Sequence, residues 1–193
     1  GEALLPAQGG APSLDLYATL DHADVPAAKL FWPVNVMPPA TVAWLDRALV
    51  AGRLEQAQVL VHGDLADWPF HHNEGRFEAR AQISGLTLDY GSAWPRAEGV
   101  DAVASFVNSG MLVEASAGHA LGVQAEHAVA LIPDFGQGLL DLNVQGSGSG
   151  ASLLEFARKS PIANHAAAAL AKLSLGGRGT FGFHLSLPLD RKS

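Results

Sequence analysis

The densest cluster of potentially reactive side chains runs from His62-Gly63-Asp64 to His71-His72-Asn73-Glu74. Imidazole and carboxylate groups this close in sequence are the donors a transition metal wants. No spacing here matches a known ligand cage, and Gly63, Pro69 and Gly75 mark a loop, so solvated loop histidines are the competing reading. A second candidate is Gly146-Ser147-Gly148-Ser149-Gly150, which ends an apolar run and opens a helical one. A phosphate-cradling loop needs Gly-Lys-Ser/Thr at its end, and Ala151-Ser152 stand there instead. The alternative is a flexible turn that caps the following helix. A nucleophilic serine would need an elbow between strand and helix with oxyanion glycines beside it. Gln145 and Ala151 around the G-S-G-S-G stretch give no support for one. Paired carboxylates for acid–base work are equally unmarked. The expectation is a chain that is not an enzyme and has no cofactor.

Composition narrows the partners. Among 193 residues, apolar types make up 48% and charged types 16%, against about 25% charged in an ordinary soluble domain. With few charges to cover the surface, considerable apolar area must face a core, a partner or a ligand. The net charge of -7, with no lysine or arginine cluster, argues against nucleic acid and anionic membrane surfaces. Cysteine is absent, which removes thiolate metal sites, thiol nucleophiles and disulfides. No apolar run reaches the roughly 18–20 residues of a membrane span, and no signal peptide opens the chain.

The elements that would position any site are mostly strands. Leu14, Leu16, Ala18 and Leu20 alternate with Asp15, Tyr17, Thr19 and Asp21, the period of a sheet with one apolar face. Phe77, Ala79, Ala81 and Ile83 alternate with Arg76, Glu78, Arg80 and Gln82. The apolar phase then slips by one residue at Ser84-Gly85 and continues as Leu86 and Leu88. Such a slip at a glycine reads as a β-bulge, which bends a strand. Further strands are predicted over 100–107, 111–115, 121–132, 139–145 and 181–187, joined by short turns in an antiparallel meander. Helices are predicted near 39–51 (ended by Gly52), 151–159 and 161–175 (capped by Ser160). The fold class is therefore mainly β: a curved, twisted antiparallel sheet with two to three helices on or beside it. Residues 1–13 read as a tail or cloning remnant, 14–189 as one β-rich unit, and 190–193 as a C-terminal tail.

Two readings of the apolar strand faces stay open. Alternating strands ordinarily bury one face as core. The other reading is an open, curved sheet whose apolar face holds acyl chains. Under the second, Phe77, Ala79, Ala81, Ile83, Leu86, Leu88, Leu121, Val123, Leu140, Leu142 and Val144 are the candidate lining residues.

Certain motifs have the order found in a known family. They are Phe31-Trp32-Pro33-Val34-Asn35-Val36-Met37-Pro38, Trp44-Leu45-Asp46-Arg47-Ala48-Leu49, Gly52-Arg53-Leu54-Glu55-Gln56-Ala57 and the stretch from His62 to Phe70. Trp94-Pro95, Ser160-Pro161 and Gly179 to Leu189 follow in the same order. In these the chain resembles the central region of YhdP-type proteins, of the AsmA-like group that includes TamB. The resemblance implies a long periplasmic protein anchored in the inner membrane by an N-terminal helix outside this chain. It further implies an apolar β-groove that moves phospholipid between inner and outer membranes and sustains the outer-membrane barrier. The partners would then be phospholipid, the remainder of the same polypeptide and the inner membrane. No family motif carries a lipid-contact residue over by position. A structural or protein-binding spacer without lipid is the rival, and an esterase-like enzyme a third reading.

Overall fold

The computed structural model describes residues 2–4, 12–28 and 39–188. The Phe31–Pro38 motif and the 190–193 tail lie outside these. The described chain forms one antiparallel sheet of nine strands in the order of the sequence, an uninterrupted meander. The strands are β1 (Glu2–Leu4), β2 (Ser13–Asp24), β3 (Leu49–Asp64), β4 (Arg76–Leu88), β5 (Ala97–Val107), β6 (Gly110–Ala120), β7 (Val123–Ile132), β8 (Leu139–Ser149) and β9 (Arg178–Pro188). Strand β1 lies within the stretch read as a tail and pairs with the start of β2, Glu2 opposite Asp15. The sheet is open, with β1 and β9 at its edges.

Turn chemistry sets the registers. Asn108-Ser109 joins β5 to β6 with Asn108 at φ +47°, a left-handed position that asparagine tolerates. Its side chain also fastens the adjoining loops: Oδ1 accepts from the Phe77 N–H at 2.8 Å, and Nδ2 donates to the Phe70 carbonyl at 3.2 Å. Leu121-Gly122 joins β6 to β7 with both residues at positive φ, the geometry of a tight hairpin.

Among the described residues the α-helices sit in connections at one end of the sheet, while a short 3-10 turn at Leu65–Asp67 lies at the other. Helices α1 (Val25–Ala28) and α2 (Pro39–Ala48) lie between β2 and β3, and α3 (Gly150–Arg158) and α4 (Ala163–Lys172) between β8 and β9. The helix expected over 39–51 stops at Ala48, because Leu49 pairs with Leu88 and Ala48 accepts a hydrogen bond from the Asp89 N–H at 2.8 Å. Gly52, expected to end that helix, sits inside β3 at φ +136°. A Cβ there would lie 2.8 Å from the Leu86 Cα, so only glycine allows the two strands to approach. Helix α3 begins as expected: Ser149 accepts from the Ser152 N–H at 3.0 Å. Ser160, expected to cap α4, instead donates from Oγ to the Ala157 carbonyl of α3, and α4 has no side-chain cap. Arg158 ties the pair together by donating to the carbonyls of Leu170 and Leu173 near the end of α4.

The slip at Ser84-Gly85 is a bulge in one continuous strand, with Gly85 at φ +59°. Its Gly85 N–H donates to the Asp101 carboxylate at 2.8 Å, and Ser84 Oγ donates to the Glu55 carboxylate. The Ser84 hydroxyl, with Arg53 and His22 beside it, holds the Glu55 carboxyl below the ordinary carboxylate range. Other register shifts fall between Leu54 and Gln56, between Asp101 and Ala102, and between Ala125 and His127. They lie along one line across the sheet, and bulges add bend and twist where they occur.

Gly146 and Gly148 of the G-S-G-S-G stretch are strand residues rather than a flexible turn, Gly150 opens α3, and all three are buried. A Cβ on Gly146 would collide with the Gln124 carbonyl and lie 2.8 Å from the Phe181 ring, whereas one on Gly182 meets nothing within 4 Å. Gly146→Ala should therefore lower unfolding stability by about 2–4 kcal/mol through overpacking. Gly182→Ala should change it by no more than ~1 kcal/mol in either direction. Parallel urea denaturation of the two variants checks the contrast.

Candidate functional site

In an antiparallel ladder, directly paired residues share a face, so the register traces each face across the whole sheet. One row runs Leu20, Ala57, Ala81, Ala104, Val113, Ala130, Leu142, Leu185 from β2 to β9. The row beside it runs Ala23, Leu54, Ile83, Ala102, Ala115, Ala128, Val144, Phe183. A third carries Ala18, Val59, Ala79, Phe106, Met111 and Ile132. No polar residue interrupts any of them. The first two rows share a size pattern: alanine and valine dominate the centre, while leucine and phenylalanine stand toward β2 and β9.

The bulges preserve this face. Without the extra residue at Ser84-Gly85, Leu86 would turn to the polar side. With it, Leu86 pairs with Val100 and is buried beside the rows that contain Ile83. The opposite face carries Thr19, Gln58, Arg80 and Ser105 in one row, which ends in Asp141 opposite Ser186. His184 lies 3.0 Å from Asp141, His62 3.7 Å from Asp15 and His22 3.5 Å from Glu55, all on that side. Val103, Leu112, Val129 and Leu131 also fall on it, so it is mixed rather than purely polar.

The centre of the apolar face is open. Ala57, Val59, Ala79, Ala81, Val113, Ala128, Ala130 and Leu142 are only half-buried, although Ala102 and Ala104 are buried by their neighbours. Two shallow depressions, of about 350 Å³ at Asp24, Pro26, Ala27, Ala51 and Gly52 and about 210 Å³ at Gln56, Gln58, Arg80, Gln82 and Val103, lie away from these rows. The apolar surface is thus an exposed sheet face rather than an enclosed cavity.

Both ends of the face carry aromatic groups. At the end bearing the β3–β4 loop, Phe70 is fully buried against Gly63 and Gly75, and Trp68 meets Phe70 and Phe77 edge-on at 5.7 and 5.0 Å. At the helix-bearing end, the β4–β5 loop brings Trp94 against Tyr90 (6.1 Å), Phe156 of α3 (6.3 Å) and Phe183 of β9 (6.1 Å). Such ring pairs contribute about 0.5–1.5 kcal/mol each beyond their buried area. Trp44 of α2 donates from Nε1 to the Tyr90 carbonyl at 3.3 Å. Leu153 of α3 lies over Gly148 and Gly179, so α3 rests on the apolar face where side chains are missing.

Of the lining residues named from sequence, Phe77, Ala79, Ala81, Ile83, Leu86 and Leu88 fall on this face through the bulge, as do Leu140, Leu142 and Val144. Leu121 does not lie in a strand: it occupies the β6–β7 turn at φ +50°. Val123 pairs with Gly148 beneath the α3 end and is buried. Phe181, Phe183, Leu185 and Leu187 of β9 also share this face, and their alternation within the 181–187 stretch is the signal that finds them. Trp94 was visible only as a tryptophan beside a proline in a loop. Its contacts with α3 and β9 are tertiary and leave no periodic mark.

The polar candidates serve local structure. Asp64 accepts from the Ala66 N–H at 2.9 Å and Glu74 from the His72 N–H at 3.1 Å. Ser147 donates to Glu126 at 2.6 Å. Among the described residues no group of three or more histidines and carboxylates converges on a metal position. Among them, too, no helix is long and apolar enough to cross a membrane.

A family model described as YhdP protein matches residues 1–193. The Escherichia coli (strain K12) protein named intermembrane phospholipid transporter YhdP is 26% identical over 179 residues, which cover 93% of this chain and 14% of that protein. The chain thus spans about one seventh of the relative's length. No solved structure matches.

Burial raises the Tyr90 phenol above its ordinary pKa of about 10. An acid with a raised folded pKa contributes stability that is present below its unfolded pKa and lost as pH climbs through the folded value. The Tyr90–Trp94 contact should therefore persist at neutral pH and weaken above about pH 10. Thermal unfolding should show a Tyr90→Phe variant losing less stability than the parent between pH 9 and pH 11, roughly the interval around that pKa.

Proposed function

The chain belongs to the YhdP family, and from that premise we propose that its open apolar face is one stretch of a trough that carries phospholipid acyl chains between the two membranes of the cell envelope. The observation that carries the reading is the set of apolar rows running unbroken from β2 to β9 while most of their residues stay only half-buried. Apolar area left open to water is unfavourable by about 25 cal/mol per Å², so a face of this extent calls for an occupant. Acyl chains fit it chemically. They need no hydrogen-bond partner, and each CH₂ moved out of water contributes about 0.8 kcal/mol.

The name of the Escherichia coli relative, an intermembrane phospholipid transporter, supports the same reading. On this reading the work is transfer without bond chemistry, in the periplasm, with anchoring to the inner membrane by another part of the polypeptide. Maintenance of the outer-membrane barrier follows as the physiological consequence.

The lining should be tested from both faces. A photoreactive phenylalanine at Ala81 or Leu142 of the complete protein should capture phospholipid in cells grown with radiolabelled phosphate. At Arg80 or Asn143, their neighbours on the opposite face, capture should be several-fold weaker. Equal capture from both faces would remove the trough and favour a spacer that only meets lipid by proximity.

A further inference from the structure

The β4–β5 loop makes contacts that the sheet alone does not permit. Three strands lie between β5 and β9, so the two are about 19 Å apart along the sheet at roughly 4.8 Å per step. Yet Trp94, in the loop before β5, lies 6.1 Å from the Phe183 ring of β9 and 6.3 Å from Phe156 of α3. Phe183 belongs to the apolar rows through its pairing with Val144, and α3 rests on the same face over Gly148 and Gly179. The loop therefore bridges from the β4–β5 side to the β9–α3 side at the helix-bearing end of the apolar face. Its near side is fixed as well. The Asp89 N–H donates to the Ala48 carbonyl, Trp44 donates to the Tyr90 carbonyl, and Arg96 pairs with Asp89 at 3.0 Å.

We propose that residues 89–96 form a strap across the trough, with Trp94 as the crossbar that holds the β4–β5 side and the β9–α3 side at a set separation. The loop is fastened to α2 at its base and to α3 and β9 at its tip, which an open sheet lacking a second layer otherwise could not achieve. The strap fixes the width of the apolar face at this end. Acyl chains using the face here share it with the indole. This role in lipid passage rests on the trough reading, whereas the strap's hold on sheet geometry does not.

Spin labels at Gln82→Cys and Thr180→Cys, exposed positions on β4 and β9, report the separation by pulsed electron resonance. The segment has no cysteine of its own, and any elsewhere in the complete protein would be replaced. Trp94→Leu should shift the distance distribution to longer values by about one strand spacing, ~4.8 Å, and broaden it. Phe156→Leu should give a smaller shift in the same direction, and Trp94→Phe should keep the parental distribution. An unchanged distribution in both leucine variants overturns the strap, whatever happens to lipid. Widening in a protein that captures no lipid at Ala81 supports the strap and defeats the trough.

Discussion

Everything in this molecule depends on one constraint of antiparallel pairing: a strand residue cannot choose its face independently of its neighbours. The period is two, so one extra residue in one strand sends all that follows to the other side. Here β3, β4, β6 and β7 carry extra residues, and they fall close to one line across the sheet. Each keeps apolar side chains on the common face where the strand bends. Without its bulge, β4 would have placed Leu86 on the side of Gln82 and Arg80. Shifted registers in the adjoining strands let Leu86, Val100, Gly118 and Ala125 follow one another on the apolar side.

That constraint explains how so much apolar surface coexists with so small a core. The buried apolar residues are few: Val25 and Ala48 in the first helices, Phe70 in the β3–β4 loop, Leu154 in α3, and single positions such as Leu54, Leu86, Ala102 and Ala104 spread along the apolar face. Cohesion comes mainly from the hydrogen-bonded ladder between strands adjacent in sequence, whose loop-closure cost is low because each hairpin is local. The apolar face is then released from the duty of holding the fold together. Small, half-buried residues along its rows are consistent with that release: Ala57, Ala81 and Ala130 would be poor core but leave room above the backbone.

The sequence made the alternation, and hence the face of each residue, legible wherever a strand ran without interruption. It also exposed the Ser84-Gly85 slip, since a glycine and a phase change coincide there. It did not expose the bulges in β6 and β7, because an alanine-rich run such as Ala115 to Ala120 has no clear phase to lose. The end of α2 was misread for a related reason. Gly52 fits a helix terminus by type, but pairing of Leu49 with Leu88 had already drawn the chain into the sheet. Leu121 looked like a strand residue by composition, and its hairpin position forces it to positive φ instead. The aromatic contacts of Trp94 depend on partners distant in sequence, which no local pattern encodes, whereas Ser160 turns back to the Ala157 carbonyl three residues before it instead of capping forward.

The openness of the face bears on what kind of lipid site it would make. A deep cavity would add contacts on every side of an acyl chain and hold it long, as drug-sized pockets hold their ligands. A half-exposed alanine floor removes only part of each methylene from water, so the affinity gained per position is a fraction of the ~0.8 kcal/mol of full transfer. Neighbouring positions along the rows are also nearly equivalent, because Ala81, Ala104 and Ala130 repeat one another with little change of shape. Near-equal, weak sites in series give a shallow energy profile, which suits movement better than storage. Under the proposed function, Trp94 breaks that uniformity: it is the place where a smooth floor meets a fixed aromatic crossbar, and the profile along the trough acquires a feature there.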